Sequence, residues 1–559
     1  MNALRGALNR IFAEILYAAV VLADLYIKTK QALRQRRSNK QAAAAANDPL
    51  TKAYCDFNKR LYATASKDRQ AFVLMDCFPI PVWVAVNCVL ANSLAERHDA
   101  EICSYGEIPR DPLTDVLYNS FSCERHLRVA TPKQDRKRRK QLFIRTFNTV
   151  KSKNDLFNLS IDGVRIGDEI YETYLIQFSR PTAELDSFRC WYVVLTALNH
   201  FLFFEEFFAK NKVAAAVLSH DFYVSMGILA KIAWERGIPV YLANGHEMKK
   251  VTRPDEKYVE FTRYREYFTR LDAAERESGI AWGKTQLENR LGGSVGVNMA
   301  YSKKSAYTAE TIERQTVPSN KTKIIIATHC FFDNPRAYGG MLFSDFHEWI
   351  SFLGRISEIT DYDWYIKTHR DYLPGTMEEI RQLIKTYPKL RLINPNTTWH
   401  QLREEGISVA LTCYGSVGHE LPFLGYKVIN AAYNPHIAYR FNWHARTIEE
   451  YQQMLLGLDR LGPISELESI YEFYFVHYRL AKQGGFLFDS FEDMEKYVAH
   501  DVHSNRIFEV ILARNSAWQE NAQQCVDAFI DANAFSEAEM ILNGTRQTTN
   551  TLSVGGVNA

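Results

Sequence analysis

One nine-residue segment collects the residue types that hold phosphate: Thr412-Cys413-Tyr414-Gly415-Ser416-Val417-Gly418-His419-Glu420. It follows an apolar run, Ile407 to Thr412, and leads into a helix-prone stretch, Val417 to Leu424. Small residues there let backbone approach a ligand, and N–H groups opening a helix face an anion. Ser416 is placed to cap that helix. Glu420, one turn further, is placed to hold ribose hydroxyls. Tyr414, Gly415, Ser416, Val417, Gly418 and Glu420 are therefore candidate ligand-binding residues; the bland alternative is a tight strand–helix turn. A second cluster, Lys367-Thr368-His369-Arg370, ends the apolar run Trp364 to Lys367. Lys367, His369 and Arg370 make a clamp for a mono- or diphosphate, or an exposed cationic loop. His329 ends a third run, Lys323 to Ala327, and is expected to line the same crevice.

In the first half, His220-Asp221 and Gly245-His246-Glu247 end two neighbouring strands. A carboxylate at such a place serves as general base on a hydroxyl or as nucleophile. Asp221 is the first candidate and Glu247 the second, with His246 beside it and His220 on the substrate side. The alternative for Asp221 is a cap on the helix beginning near Val224. These loops carry no DxD-type metal motif, and neither a P-loop nor GxSxG is found. No metal and no cofactor is assigned.

These residues matter only if strands and helices bring them to one edge. Val213 to Leu218, a helix from Val224 to Arg236, and Ile238 to Leu242 read as a βαβ unit, hence a parallel sheet. Ala71 to Met75 is a further strand, Pro81 to Leu94 a helix, Leu185 to Phe208 a long aromatic-rich helix, and Asp162-Gly163 a hairpin turn. From Lys323 to Asn430 strands and helices alternate as in a doubly wound Rossmann-type domain. In that series Ser344 is expected to cap one helix and Thr376 to Glu379 to form a capping box. In such sheets ligands bind outside the carboxyl ends of the strands, which is where the clusters above fall.

Composition bounds the reading. The chain has 559 residues, 67 Lys+Arg against 65 Asp+Glu, and 47% hydrophobic residues. That length calls for more than one domain, and the near-zero net charge provides no field for a nucleic-acid partner. Nine cysteines without a CxxC fit a reducing compartment better than a disulfide framework. No secretory signal is visible, so a cytoplasmic location is expected. Ile11 to Ile27 forms an amphipathic helix with Glu14 and Asp24 on a polar stripe, followed by the basic stretch Lys28 to Lys40. Residues 8–40 then contact either a membrane surface, making the protein peripheral on the inner face of the inner membrane, or their own protein or a second subunit. A second basic run, Lys133 to Lys140, reads as a solvated face, with a lipid or phosphate patch as the alternative. Ala42 to Ala46 reads as a linker and the polar segment after Gly544 as disordered.

The C-terminal half resembles the bacterial capsule polysaccharide biosynthesis proteins, which include β-Kdo transferases. The resemblance rests on TCYGSVGHELPFLGYKVIN and YIKTH, and covers roughly residues 160–450. GVRIGDEIYETYL is similar to a stretch of related surface-carbohydrate proteins, which implies that Asp168 and Glu172 lie on the acceptor side. Where that family has His-Pro, this chain has His369-Arg370; where it has G-x-P-V, this chain has Gly425-Tyr426-Lys427-Val428. The resemblance implies an α/β fold of GT-B type, two Rossmann-like domains facing a cleft, with an N-terminal amphipathic helix and helical C-terminal additions. It implies a glycosyltransferase that moves a sugar from a nucleotide donor, CMP-linked or other, to a glycan or glycolipid acceptor. The alternatives are a polyol-phosphate transferase of teichoic-acid type and a non-catalytic scaffold. The expected segments are 1–47 (helix and basic linker), 48–315 (acceptor domain), 316–450 (donor domain), 451–543 (helical region) and 544–559 (tail).

Overall fold

The computed structural model describes residues 2–62, 69–78, 80–243, 247–297, 304–481, 506–513 and 515–544. The chain forms two compact units. The first comprises Met1–Tyr174, Ala183–Pro254 and Lys482–Ala559; the second comprises Leu175–Thr182 and Asp255–Ala481.

The first unit is built on β1 (Ala71–Asp76), β2 (Ala100–Gly106), β3 (Arg125–Arg128), β6 (Lys212–Leu218), β7 (Val240–Ala243) and β8 (Met248–Val251). Their order is β3-β2-β1-β6-β7-β8, all parallel except the β7–β8 pair. A separate hairpin joins β4 (Ser160–Ile161) to β5 (Val164–Arg165). Its turn, Asp162 (φ 50°) and Gly163 (φ 91°), is left-handed at both positions, as a type I′ hairpin turn requires.

The second unit repeats that plan with β9 (Lys323–Ala327), β10 (Asp363–Lys367), β11 (Leu390–Leu392), β12 (Ile407–Thr412), β13 (Lys427–Asn430) and β14 (Trp443–His444). The order is β11-β10-β9-β12-β13-β14, parallel throughout. Each sheet therefore has the doubly wound arrangement, and the strand order reverses between β1 and β6 and between β9 and β12. Two Rossmann-like units in one α/β chain are the components of the GT-B type. β1 and β9 are buried along their whole length, which is why they read as unbroken apolar runs. The core of the second unit packs Ile324, Ile326 and Trp364 against Phe346, Trp349 and Leu353 of the Phe346–Ile359 helix. Burial of each such side chain contributes about 1.5–3 kcal/mol. Trp349 donates its indole N–H to the Tyr451 hydroxyl at 3.1 Å, so its polar edge is satisfied.

Several local expectations change. Ala42 to Ala46 is not a linker; it ends one continuous helix, Asn2–Ala46, in keeping with alanine's helix propensity. One face of that helix packs on its own unit, with Ala13, Val20 and Asp24 buried. Asp345 rather than Ser344 caps the Phe346–Ile359 helix, accepting from the Glu348 N–H at 2.7 Å. The Thr376–Thr386 helix has left-handed Gly375 (φ 90°) at its N-cap and no side-chain cap. The Val417 to Leu424 helix divides at Leu421 into an α-turn and a 3₁₀-turn. Pro422 has no N–H for the Gly418 carbonyl, and the Asn442 side-chain amide donates there instead at 2.6 Å.

The boundary expected at 315/316 lies at 254/255. The Ala273–Leu291 helix belongs to the second unit because Gly279 and Gly283 seat against Phe475 and the Tyr471 backbone, where a Cβ would fall 2.7 and 2.1 Å away. The C-terminal helices return to the first unit. Arg97 pairs with Asp527 and Asp531 at 2.6 and 2.8 Å, and Tyr54 stacks on Phe508 at 4.2 Å. The tail from residue 545 onward lies outside the described residues. Among the described residues one helix, Phe188–Lys210, is long and apolar enough to cross a membrane, but it is largely buried in the first unit as a core helix.

Candidate functional site

The strand-order reversal of the second unit brings the end of β9 beside the end of β12. His329, just past β9, reaches across to β12. Its Nε2 lies 3.0 Å from Thr412 Oγ1 and accepts the Cys413 N–H at 3.2 Å. The backbone N–H fixes Nε2 as the acceptor and places the ring proton on Nδ1. The ring lies against Phe346 (4.8 Å) and Tyr414 (4.5 Å), and burial pushes its pKa down to about 3. His329 is thus a neutral brace for the loop and not a cation for phosphate.

The loop it braces is Cys413 to Val417. Gly415 donates its N–H to Thr412 Oγ1 at 3.2 Å, and a Cβ there would fall 2.9 Å from that oxygen. Gly418 is tighter, with a Cβ placed 2.5 Å from His436 Nε2. Both glycines therefore have a packing reason to be small. Ser416 is itself helical (φ −56°, ψ −26°) and its side chain caps nothing, contrary to expectation. Its carbonyl accepts the His419 and Glu420 N–H groups, each at 3.0 Å. Among the described residues, the N–H groups of Ser416 and Val417 are the two in this loop with no protein acceptor. Tyr414 donates its hydroxyl to the Asn334 carbonyl at 2.9 Å.

Glu420 is fully buried. It accepts from Arg290 Nε at 3.0 Å and from the Tyr307 hydroxyl at 2.5 Å. Burial alone would raise its pKa, but the charge of Arg290 wins and holds the carboxyl below its usual range. Both oxygens are engaged, so the role expected for Glu420 toward a ribose is replaced by a structural one.

The cationic cluster lies one strand over, at the end of β10, where Lys367 is in register with Ala327 of β9. Lys367 is 3% exposed; Nζ donates to the Pro395 carbonyl at 2.9 Å and sits 5.3 Å from the centre of the Trp399 ring. No carboxylate pairs with it among the described residues. Burial, helped by the neighbouring Arg370, drives its pKa down to about 7. Among the described residues Arg370 binds carbonyls only: Ser305, Thr308 (3.0 Å) and Asn396 (2.7 Å). His369 is exposed, and its Nδ1 accepts the Asp371 N–H at 3.0 Å. A buried amine without a counter-ion beside a guanidinium is poised to gain a proton when an anion arrives.

The first unit has its own reversal, between β1 and β6. Asp76 ends β1 there and was not a sequence candidate. Its carboxylate accepts the Ser219 N–H at 3.2 Å and the Ser219 hydroxyl; burial raises its pKa to about 6. The signal was present: an apolar strand, AFVLMD, ending in a carboxylate. His220, the next residue after Ser219, packs against Trp83 (5.2 Å) and Phe222 (4.7 Å). Asp221 is 8% exposed. It is not the helix cap: the N-cap position is Phe222, and Thr173 accepts the Val224 N–H at 2.8 Å. A π-turn, Tyr223–Gly227, follows, with Tyr223 at φ 60°.

Glu247 lies between β7 and β8 and pairs with Lys249 at 3.0 Å. His246 lies outside the described residues. Asp168 pairs with Arg165 and, at 3.7 Å, with Lys231, whose closer partner is buried Glu169 at 2.6 Å. Glu172 is buried. Asp168 thus belongs to an ion-pair network that fastens its helix to the one after β6. Among the described residues no cluster of His, Cys, Asp or Glu is arranged to hold a metal.

No family model matches the chain, and no curated protein matches it. Solved structures similar to it include the β-Kdo 2,4-transferase KpsC of Thermosulfurimonas dismutans (10% identity, TM-score 0.29), covering 48% of this chain and 85% of that one. A UDP-GlcNAc 2-epimerase of Neisseria meningitidis bound to UDP-GlcNAc matches at 10% identity and TM-score 0.20, over 79% of this chain and 99% of that one. A glycosyltransferase of Rickettsia africae matches at 9% identity and TM-score 0.21, over 80% and 100%. The assignment of two Rossmann-like units rests on the strand order itself, and each unit carries a polar cluster at its point of reversal.

Proposed function

We propose that the chain is a glycosyltransferase whose second unit binds a nucleotide-activated sugar and whose first unit holds a glycan or glycolipid acceptor. The observation that carries this reading is Lys367, a buried lysine without a carboxylate partner, next to Arg370 and one strand from the β9–β12 reversal. The donor's phosphate is assigned to Lys367, His369 and the free N–H groups of Ser416 and Val417. Among the described residues, Lys367 and those two N–H groups are donors without an anion, at the strand ends where doubly wound sheets bind nucleotides. A CMP-linked acidic sugar is the donor favoured by the resemblance of TCYGSVGHELPFLGYKVIN and YIKTH to capsule transferases, and a bacterial surface polysaccharide is the favoured acceptor.

On the acceptor side Asp221 is assigned the catalytic carboxylate. Its loop sits beside Asp76, whose raised pKa suits a general base near neutral pH. Asp221→Ala should remove turnover and leave nucleotide binding intact; full turnover in that variant would transfer the role to Asp76. The reading as a whole is tested by thermal unfolding with CMP, UDP and GDP. Binding to the native state raises stability by mass action. A shift with CMP alone fits the CMP-linked donor, one with UDP or GDP redirects the donor, and no shift with any nucleotide removes the reading.

A further inference from the structure

We infer that the outward face of the N-terminal helix docks flat on an anionic lipid bilayer. The Asn2–Ala46 helix is two-faced in a way the sequence alone left open. At about 100° per residue, Ile11, Ile15, Leu22, Leu25, Tyr26 and Leu33 fall within one sector about 100° wide. All six are exposed, from 52% at Leu33 to 67% at Leu22. Ala13, Val20 and Asp24 fall on the opposite side and are buried against the first unit. The helix is held to the first unit by Lys140 to Glu14 at its flank at 3.2 Å, Arg139 to the Tyr17 hydroxyl at 3.1 Å, and Lys28 to Glu107 at 3.8 Å. The helix is therefore fixed along the protein and cannot span a bilayer; its apolar stripe, about 33 Å long at about 1.5 Å per residue, lies parallel to any surface it meets.

Charge selects the occupant. Arg10, Lys30, Arg34, Arg37 and Lys40 are exposed around or beyond the stripe. The helix has two acidic residues, and both are engaged: Glu14 with Lys140, Asp24 with Lys28 at 3.0 Å. A second copy laid on this face would set cations against cations, and each helix would offer only Glu14, half-exposed and already paired with Lys140, to offset them. An anionic headgroup layer satisfies the same cations, while the six apolar side chains enter the acyl boundary. Tyr26 adds an aromatic ring with a polar tip, suited to that depth.

The test is flotation of the full chain with vesicles of phosphatidylcholine containing phosphatidylglycerol, against vesicles of phosphatidylcholine alone. Retention should be at least about tenfold greater on the anionic vesicles and fall in high salt. The double substitution Ile15→Glu with Leu22→Glu should abolish it while leaving thermal unfolding unchanged, because both positions are exposed. Arg34→Glu with Arg37→Glu should weaken retention on anionic vesicles by a similar factor. Equal retention on both vesicle types, none on either, or an unaffected Ile15/Leu22 variant would overturn the inference. So would a concentration-dependent dimer that the Ile15/Leu22 variant abolishes, since the face would then belong to a second copy.

Discussion

Replacing Lys367 by methionine separates the energetic cost of a buried lysine from its use. The side chain is 3% exposed, lacks a carboxylate partner among the described residues, and has its pKa pushed down to about 7 from the ordinary 10.5. Between those two values the unfolded chain carries a proton that the folded chain lacks. Stability therefore rises with pH from about 7 to about 10.5 and carries the full penalty below pH 7. At about 1.36 kcal/mol per tenfold, the penalty is on the order of 4 kcal/mol at pH 7. Methionine keeps the stem against Trp399 and removes the charge, but it leaves the Pro395 carbonyl without its donor, a loss of about 1–3 kcal/mol. Lys367→Met should thus stabilise the free protein by about 1–3 kcal/mol at pH 7 and lose that advantage toward pH 10.5. Calorimetry across that pH range reads the effect on the transition of the second unit. Nucleotide binding tests the other half. A phosphate seated at Lys367 draws a proton onto the amine, so wild-type affinity should weaken about tenfold per pH unit from pH 8 to 9. The variant should bind weakly and without that slope. If Lys367→Met destabilises equally at pH 7 and 10, or keeps wild-type nucleotide affinity, the assignment of Lys367 as an unneutralised anion site is wrong.

Two further outcomes follow from other groups. Asp76, with its pKa raised to about 6 from 3.8, holds a proton in the folded state that the unfolded chain has already lost. Stability of the first unit should fall by about 3 kcal/mol as pH rises from 3.8 to 6, and Asp76→Asn should flatten that slope in denaturant titrations. Gly418→Ala puts a methyl 2.5 Å from His436 Nε2 and should destabilise the second unit by about 1–3 kcal/mol, read as a lowered denaturant midpoint. Wild-type stability in that variant would mean His436 moves aside freely.

The pattern of the sequence determined the parallel strands. KIIIA is buried along its whole length and ISVALT at every position but Ser408, so both read as nearly unbroken apolar runs. The partial edge pieces were hidden: β3 is Arg-His-Leu-Arg and β14 is two residues, and neither has periodicity to read. The sequence also located the Lys367 cluster and the Tyr414 loop at strand ends, because type and position there are local properties. What only the tertiary structure decided is which of these groups is already occupied. Glu420 is saturated by Arg290, 130 residues before it, and by the Tyr307 hydroxyl. His329 spends its nitrogen on the Cys413 N–H, and Gly418 is small for the sake of His436. Asp76 meets Ser219 across 143 residues. Whether a polar side chain is free for a ligand depends on partners that only folding brings near, and spacing along the chain does not encode that.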